Sequence, residues 1–409
     1  MATTETERPA GGPLAGIGRN IVALGFTSLF TDVSTEMLVP ILPLFVTATL
    51  HASVASLGVI EGVAECTASV LRTTSGWLSD RIGRRKPFVV LGYGLSGLAK
   101  AALGLAGSWP AVLALRFTDR VGKGLRNPPR DALIADSAPP EARGRAFGLH
   151  RAMDTTGAAI GPLLGWWLLH RWHALGAEGY RRVFLASAIP AALSVLVLLV
   201  FVRAPRRAPA APRPRGAGGA LGGALLRFLA VDAIFQLGNS SNAFVLLRTQ
   251  GAGWNASQVM LIYLLFNVVY ALLALPFGHL SDRIGRRPLL LAAYALYAVA
   301  YALFGWHATR AGVVAGFLVL AVHSALIDGQ ARALVSDLVP ATVRATAYGV
   351  QATVVGVALL PASVLAGMLW ERVGPAAPFV LGASLAALAA VLLPILLPAR
   401  AAAEPRRAG

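Results

Sequence analysis

Cysteine and charge are scarce in this sequence. Of its 409 residues one is cysteine, Cys66, and 13% are charged. A single cysteine excludes an internal disulfide and a metal cluster built on cysteines. So little charge excludes a soluble protein of this length, whose surface would need far more of it. No P-loop for a nucleotide occurs, so ATP is not the direct energy source.

Long apolar runs fill most of the chain. The sequence is 56% hydrophobic, and residues 184–202 and 378–398 are two such runs. A run of about 20 residues crosses a bilayer core of roughly 30 Å as a helix. The net charge of +17 does not indicate a nucleic-acid partner, because Lys and Arg lie between the apolar runs. This placement is typical of cytoplasmic membrane loops.

The runs predict an all-α membrane protein with twelve transmembrane helices in two six-helix bundles. The predicted helices cover residues 18–47, 55–78, 87–106, 110–136, 144–170, 181–203, 221–248, 257–280, 288–306, 311–337, 343–371 and 376–398. A stretch rich in Pro, Arg and Ala predicts a linker between the bundles. The predicted tail, first bundle, linker, second bundle and second tail are 1–17, 18–203, 204–220, 221–398 and 399–409.

The basic residues predict the orientation. With both termini in the cytoplasm, the cytoplasmic segments hold 18 Lys and Arg residues and the opposite segments hold 6. The positive-inside rule therefore predicts cytoplasmic tails and linker in a multi-pass protein of the plasma (inner) membrane. The N-terminal MATTETERPAGG has no basic segment, so we do not expect a cleaved signal peptide.

The two halves repeat each other. GWLSDRIGRRKP begins at residue 76 and GHLSDRIGRRP at residue 278, with seven consecutive residues identical at an offset of 202. The stretches 135–148 and 336–349 also resemble each other, at an offset of 201. A parallel repeat of this kind places a substrate path at the interface between the halves.

Twelve helices, a basic central linker and the repeated turn resemble the major facilitator superfamily over nearly the whole chain. The matching residues are Gly76, Asp80, Arg81, Gly83, Arg84 and Arg85, with Gly278, Asp282, Arg283, Gly285, Arg286 and Arg287 in the second half. The resemblance implies the major facilitator fold and a cytoplasmic gate held shut by ionic contacts of these turns. The alternative is that the turns only anchor the loops and set the topology.

A glycine series in the fifth predicted helix resembles the signature of drug–proton antiporters in this superfamily. Its members are Gly148, Gly157, Gly161, Pro162 and Gly165. The chain departs from that signature at Trp166, where another glycine is usual. Close packing of small residues, with a bend at the proline, is the alternative explanation.

Carboxylates inside the predicted helices are candidates for proton coupling. Each buried charge costs roughly 2.5–3.5 kcal/mol at a helix centre, so it needs a partner or a function. The candidates are Asp32, Glu36, Glu61, Glu65 and Asp154. Asp32 comes first, because two carboxylates one turn apart cannot both stay ionised cheaply in a low dielectric. The alternatives are a static salt bridge from Asp32 and Glu36 to helix 4, and a purely structural role for the helix 2 acids.

Other polar residues of the predicted helices are candidates for the cavity and the substrate. They are Arg116, Asp119, Arg120, His150, Arg151, Asp232, Gln236, Asn239, Asn242, Asn267 and Asp328. The resemblance implies that helices 1, 4, 7 and 10 line the cavity. Arg120 stands where the superfamily's helix 4 motif has glycine, so no proton-relay role is carried over to Arg116. Two alternatives remain. The charges of helix 4 belong to the gate, or the polar residues of the second half serve only in helix packing.

The sequence thus predicts a secondary transporter that works by alternating access, with proton-coupled efflux of a small molecule as the leading interpretation. The alternatives are an uptake symporter for a metabolite and an exporter of a metal ion or metal chelate. A membrane-embedded enzyme is disfavoured, since no catalytic cluster of His, Cys or Ser occurs. We predict no catalytic residue, no metal site and no cofactor, with the proton gradient as energy source. The expected partners are the substrate, protons and the lipid bilayer, and we expect a monomer.

Overall fold

The computed structural model describes residues 17–139, 142–203, 222–307, 309–327, 329–340 and 343–398. Within these ranges the regular elements are helices, and no strand occurs. The predicted tails 1–17 and 399–409 lie outside the described residues except for Ile17, and so does the predicted linker 204–220. Asp328 and the side chain of Asp282 are outside them as well.

The first half runs from α1 to α8. Its helices are α1 (Arg19–Glu36), α2 (Leu42–Leu44), α3 (Val54–Ile82), α4 (Lys86–Ala102), α5 (Trp109–Ser137), α6 (Arg143–Arg171), α7 (Ala177–Ala186) and α8 (Ala188–Phe201). A π-helical turn, Phe45–Thr49, follows α2. Proline at the start of α4 and α5 suits the first helical turn, where the missing N–H has no helical acceptor.

The second half repeats this order from α9 to α16. Its helices are α9 (Gly223–Gly238), α10 (Asn242–Gly251), α11 (Ala256–Ile284), α12 (Arg286–Trp306), α13 (Arg310–Ile327), α14 (Gln330–Leu338), α15 (Arg344–Arg372) and α16 (Ala377–Leu396). Asn255 begins α11 with a reciprocal capping box, in which Asn255 and Gln258 each bond the other's backbone N–H.

The first helix of each half is broken at the equivalent place. The predicted helix 18–47 stops at Glu36 and resumes at Leu42, and the predicted helix 221–248 stops at Gly238 and resumes at Asn242. The two gaps coincide at the repeat offset of 201 found in the sequence. Broken helices release backbone groups near the middle of a membrane bundle, where substrates of transporters commonly bind.

Eight helices or helix pairs in the described part of the chain are long and apolar enough to cross a membrane. They are Val54–Ile82, Lys86–Leu105, Ala177–Phe201, Ala256–Ala274, Arg286–Trp306, Arg310–Leu338, Thr346–Arg372 and Ala377–Leu396. α1, α5, α6 and α9 fall outside this set. α1, α5 and α6 carry acids and bases along their length, and α9 ends after 16 residues.

The two halves meet along three helix pairs: α3 with α15, α6 with α11, and α2 with α10. Small residues bring α3 and α15 close together. A Cβ built on Gly58 would lie 2.4 Å from the carbonyl oxygen of Ser363, and one on Gly367 would lie 2.7 Å from that of Val54. Such contacts let the backbones of two membrane helices touch.

Among the described residues, the buried apolar contacts that join the halves lie on one side of the bundle. On the far side, defined here as the side of α2 and α10, one cluster contains Leu42, Phe45 and Leu57 of the first half with Leu247 and Met260 of the second. On the basic side, defined as the side of the α3–α4 and α11–α12 turns, the clusters are separate. One contains Ile21, Val89, Tyr93, Leu133 and Ile134, and the other Leu289, Ala293 and Leu326. The halves are therefore sealed together at the far side.

We predict that Gly58→Ala lowers the midpoint of thermal unfolding in detergent by several degrees, because the added methyl group must push α15 away. Overpacking of this kind costs about 1–3 kcal/mol. The matched control is Gly94→Ala on α4, where an added Cβ meets nothing within 4 Å. Its midpoint should stay the same or rise. Tryptophan fluorescence measures the unfolding midpoint of both variants. An equal decrease of the midpoint in Gly58→Ala and Gly94→Ala would contradict the tight α3–α15 contact.

Candidate functional site

A cavity of about 370 Å³ lies between the two halves. It is lined by Val39, Leu42, Pro43, Glu61, Glu65, Arg116, Arg120, Lys123, Asn239, Ser240, Ser241, Asn242, Ala243, Leu246, Tyr263 and Leu359. The lining includes both helix breaks: Val39, in the gap after α1, and Asn239 to Ser241, in the gap after α9. The breaks found in the fold are thus part of the cavity wall.

A ladder of ion pairs between α3 and α5 forms the charged wall of the cavity. Arg116 Nη2 lies 2.8 Å from Glu61 Oε1, and Arg116 Nη1 lies 3.4 Å from Asp119 Oδ2. One turn further, Arg120 Nη2 lies 3.0 Å from Glu65 Oε1. The spacing of three and four residues puts the α5 charges on one face, opposite the i and i+4 acids of α3. The side chains of Glu61 and Arg116 are 9% and 8% exposed, so this pair is buried.

Asp119 is held from a third helix. The Ser96 hydroxyl on α4 donates to Asp119 Oδ1. Lys100, also on α4, donates to Thr35 Oγ1 of α1 at 2.9 Å. The cations and acids of the first half are therefore tied together across α1, α3, α4 and α5.

Two acids of the first half accept hydrogen bonds from the second half. The Ser241 hydroxyl donates to Glu61 Oε2 at 3.2 Å, and the Tyr263 hydroxyl donates to Glu36 Oε2 at 2.8 Å. Glu61 is thus shared between Arg116 of its own half and Ser241 of the other. Sequence reasoning missed Ser241, although its position in the polar run Asn239–Asn242, beside two residues that were candidates, was a usable signal.

The α6 glycines lie directly against the acid-bearing face of α1. A Cβ on Gly157 would lie 3.0 Å from the Cβ of Asp32, and one on Gly161 would lie 2.7 Å from the Cβ of Glu36. Gly165 continues this contact, since a Cβ on it would lie 3.0 Å from the carbonyl oxygen of Met37. A Cβ on Gly148 would meet nothing within 4 Å. Pro162 is buried inside the same helix. The antiporter-like series thus sets the distance between α6 and the candidate proton carriers.

Asp32 forms no salt bridge or hydrogen bond with any other described residue. The main cations that act on it through space are Arg126, Arg130 and Lys123, and Lys100 also interacts with it. Arg126 lies over the Tyr93 ring, 4.6 Å from its centroid, and Arg130 is bound to Asp131 at 2.8 Å. A carboxylate with cations nearby and none in contact can gain or lose a proton without breaking an ion pair.

The α6 residues of the candidate site lie on both sides of that helix. His150 Nε2 lies 3.6 Å from Asp154 Oδ2 and 3.3 Å from the Ser28 hydroxyl of α1. Arg151 faces the other half, where it donates to the Tyr270 hydroxyl of α11. Asn267 of α11 donates to the carbonyl oxygen of Ala158 at 3.1 Å. Arg151 and Asn267 therefore link the halves and are not part of the cavity wall described above.

The candidates on α9 form a chain of hydrogen bonds behind the cavity wall. Gln236 Nε2 donates to Asp232 Oδ1 at 3.2 Å, and Gln351 Nε2 of α15 donates to Asp232 Oδ2 at 3.4 Å. Asn239 Nδ2 donates to Gln236 Oε1 at 2.9 Å. Asp232 is 1% exposed, whereas Asn239 and Asn242 line the cavity. Sequence reasoning missed Gln351, because nothing in α15 marks the one amide that reaches α9.

The repeated turns tie helices together within each half. Arg85 Nη2 donates to Asp80 Oδ1 at 3.1 Å, and Arg85 Nη1 donates to Asp136 at the end of α5. Gly83 ends α3 with a φ of 68°, which favours glycine. In the second half Arg286 Nη1 donates to the Ser281 hydroxyl at 2.9 Å. In this conformation these contacts of the two turns are internal to their own halves, on the side where the apolar clusters are separate.

We predict that Arg116→Gln strongly destabilises the protein, because Glu61 and Asp119 both lose their cation in a buried site. Removing one partner of a buried pair costs about 3–5 kcal/mol. The double variant Glu61→Gln/Arg116→Gln should recover part of the loss, since one of the stranded carboxylates is gone. Thermal unfolding in detergent measures both. A double variant less stable than Arg116→Gln alone would show that the two side chains are not coupled.

Comparison with known proteins gives the family. A family model described as the Major Facilitator Superfamily matches residues 24–248 and 226–409. The chain is 35% identical over 384 residues to an uncharacterized MFS-type transporter of Methanocaldococcus jannaschii, covering 92% of this chain and 94% of that protein. Multidrug resistance protein MdtH of an Enterobacter species is 34% identical over 151 residues, which is 37% of each chain.

Solved structures share the fold. The nucleoside transporter NupG superposes with a TM-score of 0.74 at 14% identity, covering 92% of this chain and 99% of that one. A bacterial homolog of the human lysosomal transporter Spinster, inward-facing and unoccupied, superposes with a TM-score of 0.69 at 18% identity, covering 92% and 94%. At these identities the likeness concerns the fold alone. The chain therefore belongs to the Major Facilitator Superfamily: it is a multi-pass membrane protein for secondary transport of small molecules and not an enzyme.

Proposed function

We propose that the protein is a proton-coupled antiporter that exports a polar small molecule across the plasma membrane by alternating access. The observation that carries the proposal is the cavity between the halves, which has a wall of buried charges and is sealed at the far side. It needs no resident cofactor, because one charge that crosses 100 mV supplies about 2.3 kcal/mol.

The twelve-span arrangement follows if each broken helix crosses the membrane as one unit. α1 with α2, α7 with α8, α9 with α10, and α13 with α14 are then single crossings, so each half has six. Twelve crossings put both termini on the same side of the membrane, and we assign that side, with the basic α3–α4 and α11–α12 turns, to the cytoplasm by the positive-inside rule. The described conformation then faces the cytoplasm, where an exporter collects its substrate, and the transporter acts as a monomer.

Outward release requires the far-side seal to separate. When the halves rock, the apolar contact between α2 and α10 opens and the turns of the basic side approach each other. The ionic contacts of Arg85 and Arg286 then become available across the interface, as the gate of this superfamily requires. The cavity residues Glu61 and Ser241 move apart in the same motion, because they belong to different halves.

Asp32 is the proposed proton carrier. It has cations nearby but no ion pair among the described side chains, unlike Glu61 and Glu65, which are engaged with Arg116 and Arg120. Glu36 is one turn away and bonded to Tyr263 of the other half. A change in the protonation of Asp32 therefore changes the charge next to a contact between the halves. The partial similarity to MdtH, whose name states multidrug resistance, supports export over uptake.

Inside-out vesicles that contain the transporter and an acid lumen test the proposal. Adding a substrate outside should release protons from the lumen, seen as recovery of the fluorescence of a quenched acridine dye. We predict that Asp32→Asn lowers the rate of proton release at least tenfold, because an amide carries no proton. The matched control is Glu178→Gln, which also replaces a carboxylate by an amide but at an exposed acid paired with Arg182. This variant should behave as the wild type.

The sign of the response separates the two directions of coupling. Further quenching on addition of substrate would mean that protons and substrate move together, which is symport and contradicts the antiport proposal. Proton release that survives Asp32→Asn would place the proton carrier at another carboxylate.

A further inference from the structure

Among the described residues, Lys123 is the one basic side chain of the cavity wall without a hydrogen-bond or salt-bridge partner. It lies one turn beyond Arg120 on the charged face of α5 and lines the cavity with Arg116 and Arg120. Within the described ranges no hydrogen bond or salt bridge reaches its ammonium group. Through space Glu65 opposes Arg120, Arg72 and Arg126 at Lys123, and Lys123 also acts on Asp32 and Glu36 of α1.

The acids of the cavity wall already have hydrogen-bond or ion-pair partners. Glu61 accepts from Arg116 at one oxygen and from Ser241 at the other, and Glu65 is paired with Arg120. Behind the wall, Asp119 is held by Arg116 and Ser96, and Glu36 by Tyr263. The lining residues therefore include three cations, Arg116, Arg120 and Lys123, and two acids, Glu61 and Glu65. Lys123 is half-buried, and a ligand that brings negative charge next to its ammonium group stabilises it.

The other lysines show how this protein satisfies an ammonium group when it has no ligand to bind. The chain has three lysines. Lys86 donates to the carbonyl oxygens of Leu199 and Val202 at 3.1 and 2.6 Å, and Lys100 donates to Thr35. Lys123 has no such acceptor in the described part of the chain, although a lysine offers three donors on a compact charge.

The opposite wall of the cavity presents the amino end of α10. Ser241 caps this helix by accepting from the N–H of Ala243, and Ser241, Asn242 and Ala243 all line the cavity. The amino end of a helix carries partial positive charge and unpaired N–H groups, which favour anions. The hydroxyls and amides of residues 239–242 suit hydroxyl or carbonyl groups of a ligand.

We propose that the cavity binds a small organic anion, with its carboxylate or phosphate group between Lys123 and the amino end of α10. This names the substrate class of the transport function proposed above and rests on it. The volume of about 370 Å³ suits a small metabolite-sized molecule. A cationic substrate would find no carboxylate in the wall that is not already paired with an arginine or bonded across the interface.

An amine-reactive anion tests the site directly. Pyridoxal 5′-phosphate condenses with a lysine amine to an imine with loss of one water, and borohydride reduces the C=N bond to a stable amine. Pyridoxal carries the same aldehyde without the phosphate and is the matched reagent. We expect the phosphate form to label Lys123 at least tenfold faster than pyridoxal does, as measured by peptide mass spectrometry in detergent. Lys86, at the surface turn, should show no such preference.

Competition then separates anion binding from simple access. Gluconate should slow the labelling of Lys123 at least threefold, whereas sorbitol, the uncharged polyol of the same chain length, should not. Lys123→Arg keeps the charge, so gluconate should still raise the unfolding temperature of that variant, and Lys123→Gln should abolish the shift. An equal preference of Lys86 and Lys123 for the phosphate reagent, or equal protection by sorbitol, overturns the proposal.

The labelling needs no membrane and no gradient, so its failure is distinct from a failure of proton coupling. Anion-dependent labelling with no proton release in vesicles would leave the anion site standing and contradict the antiport mechanism alone. If a cationic substrate drives proton release and anions have no effect on the labelling of Lys123, the antiport mechanism stands and the anion site is contradicted.

Discussion

The low dielectric of the bundle interior makes every unpaired charge costly, and the pairing of α5 with α3 meets this constraint. Arg116 and Arg120 face Glu61 and Glu65 across the two helices, and Asp119 is held from α4 by Ser96. α5 carries too much charge to count as a membrane span by composition. It is stable inside the bundle because its charged face meets acids, so the ion pairs set which face of α5 points inward.

Small residues make this arrangement possible. The charges occupy the interior only if the helices around them approach closely, and Gly157 and Gly161 let α6 rest against α1 beside Asp32 and Glu36. Between the halves, Gly58 and Gly367 do the same for α3 and α15 at the far side. A glycine series that resembles an antiporter signature therefore has a direct packing explanation here, and the same packing positions the candidate proton carrier.

The repeat and the helical class could be predicted from the sequence. The faces of α3 and α5 that carry acids and bases could be predicted as well, because they depend only on residue spacing along one helix. The helix breaks at residues 37–41 and 239–241 were missed, since apolar composition continues through the first of them. The distribution of partners could not be predicted either. Asp32 with Glu36 and Glu61 with Glu65 have the same i, i+4 spacing, and only the rotation of α1 and α3 decides that the second pair receives the arginines.

The site is asymmetric, and this bears on how the halves move. The ion pairs of Arg116 and Arg120 lie inside the first half, whereas Ser241 and Tyr263 reach across to Glu61 and Glu36 as neutral donors. A neutral hydrogen bond contributes about 0.5–1.5 kcal/mol, or somewhat more to a charged acceptor, and water or substrate can replace it. Separating a buried ion pair would cost several times as much. In the rocking motion proposed above, the cheaper contacts would break and the charge ladder would stay intact, so the cavity would keep its electrostatic character in both conformations. A substrate that replaces Ser241 at Glu61 would compensate part of the cost of opening, which makes the hydrogen-bonding wall of the second half the place where binding and movement are coupled.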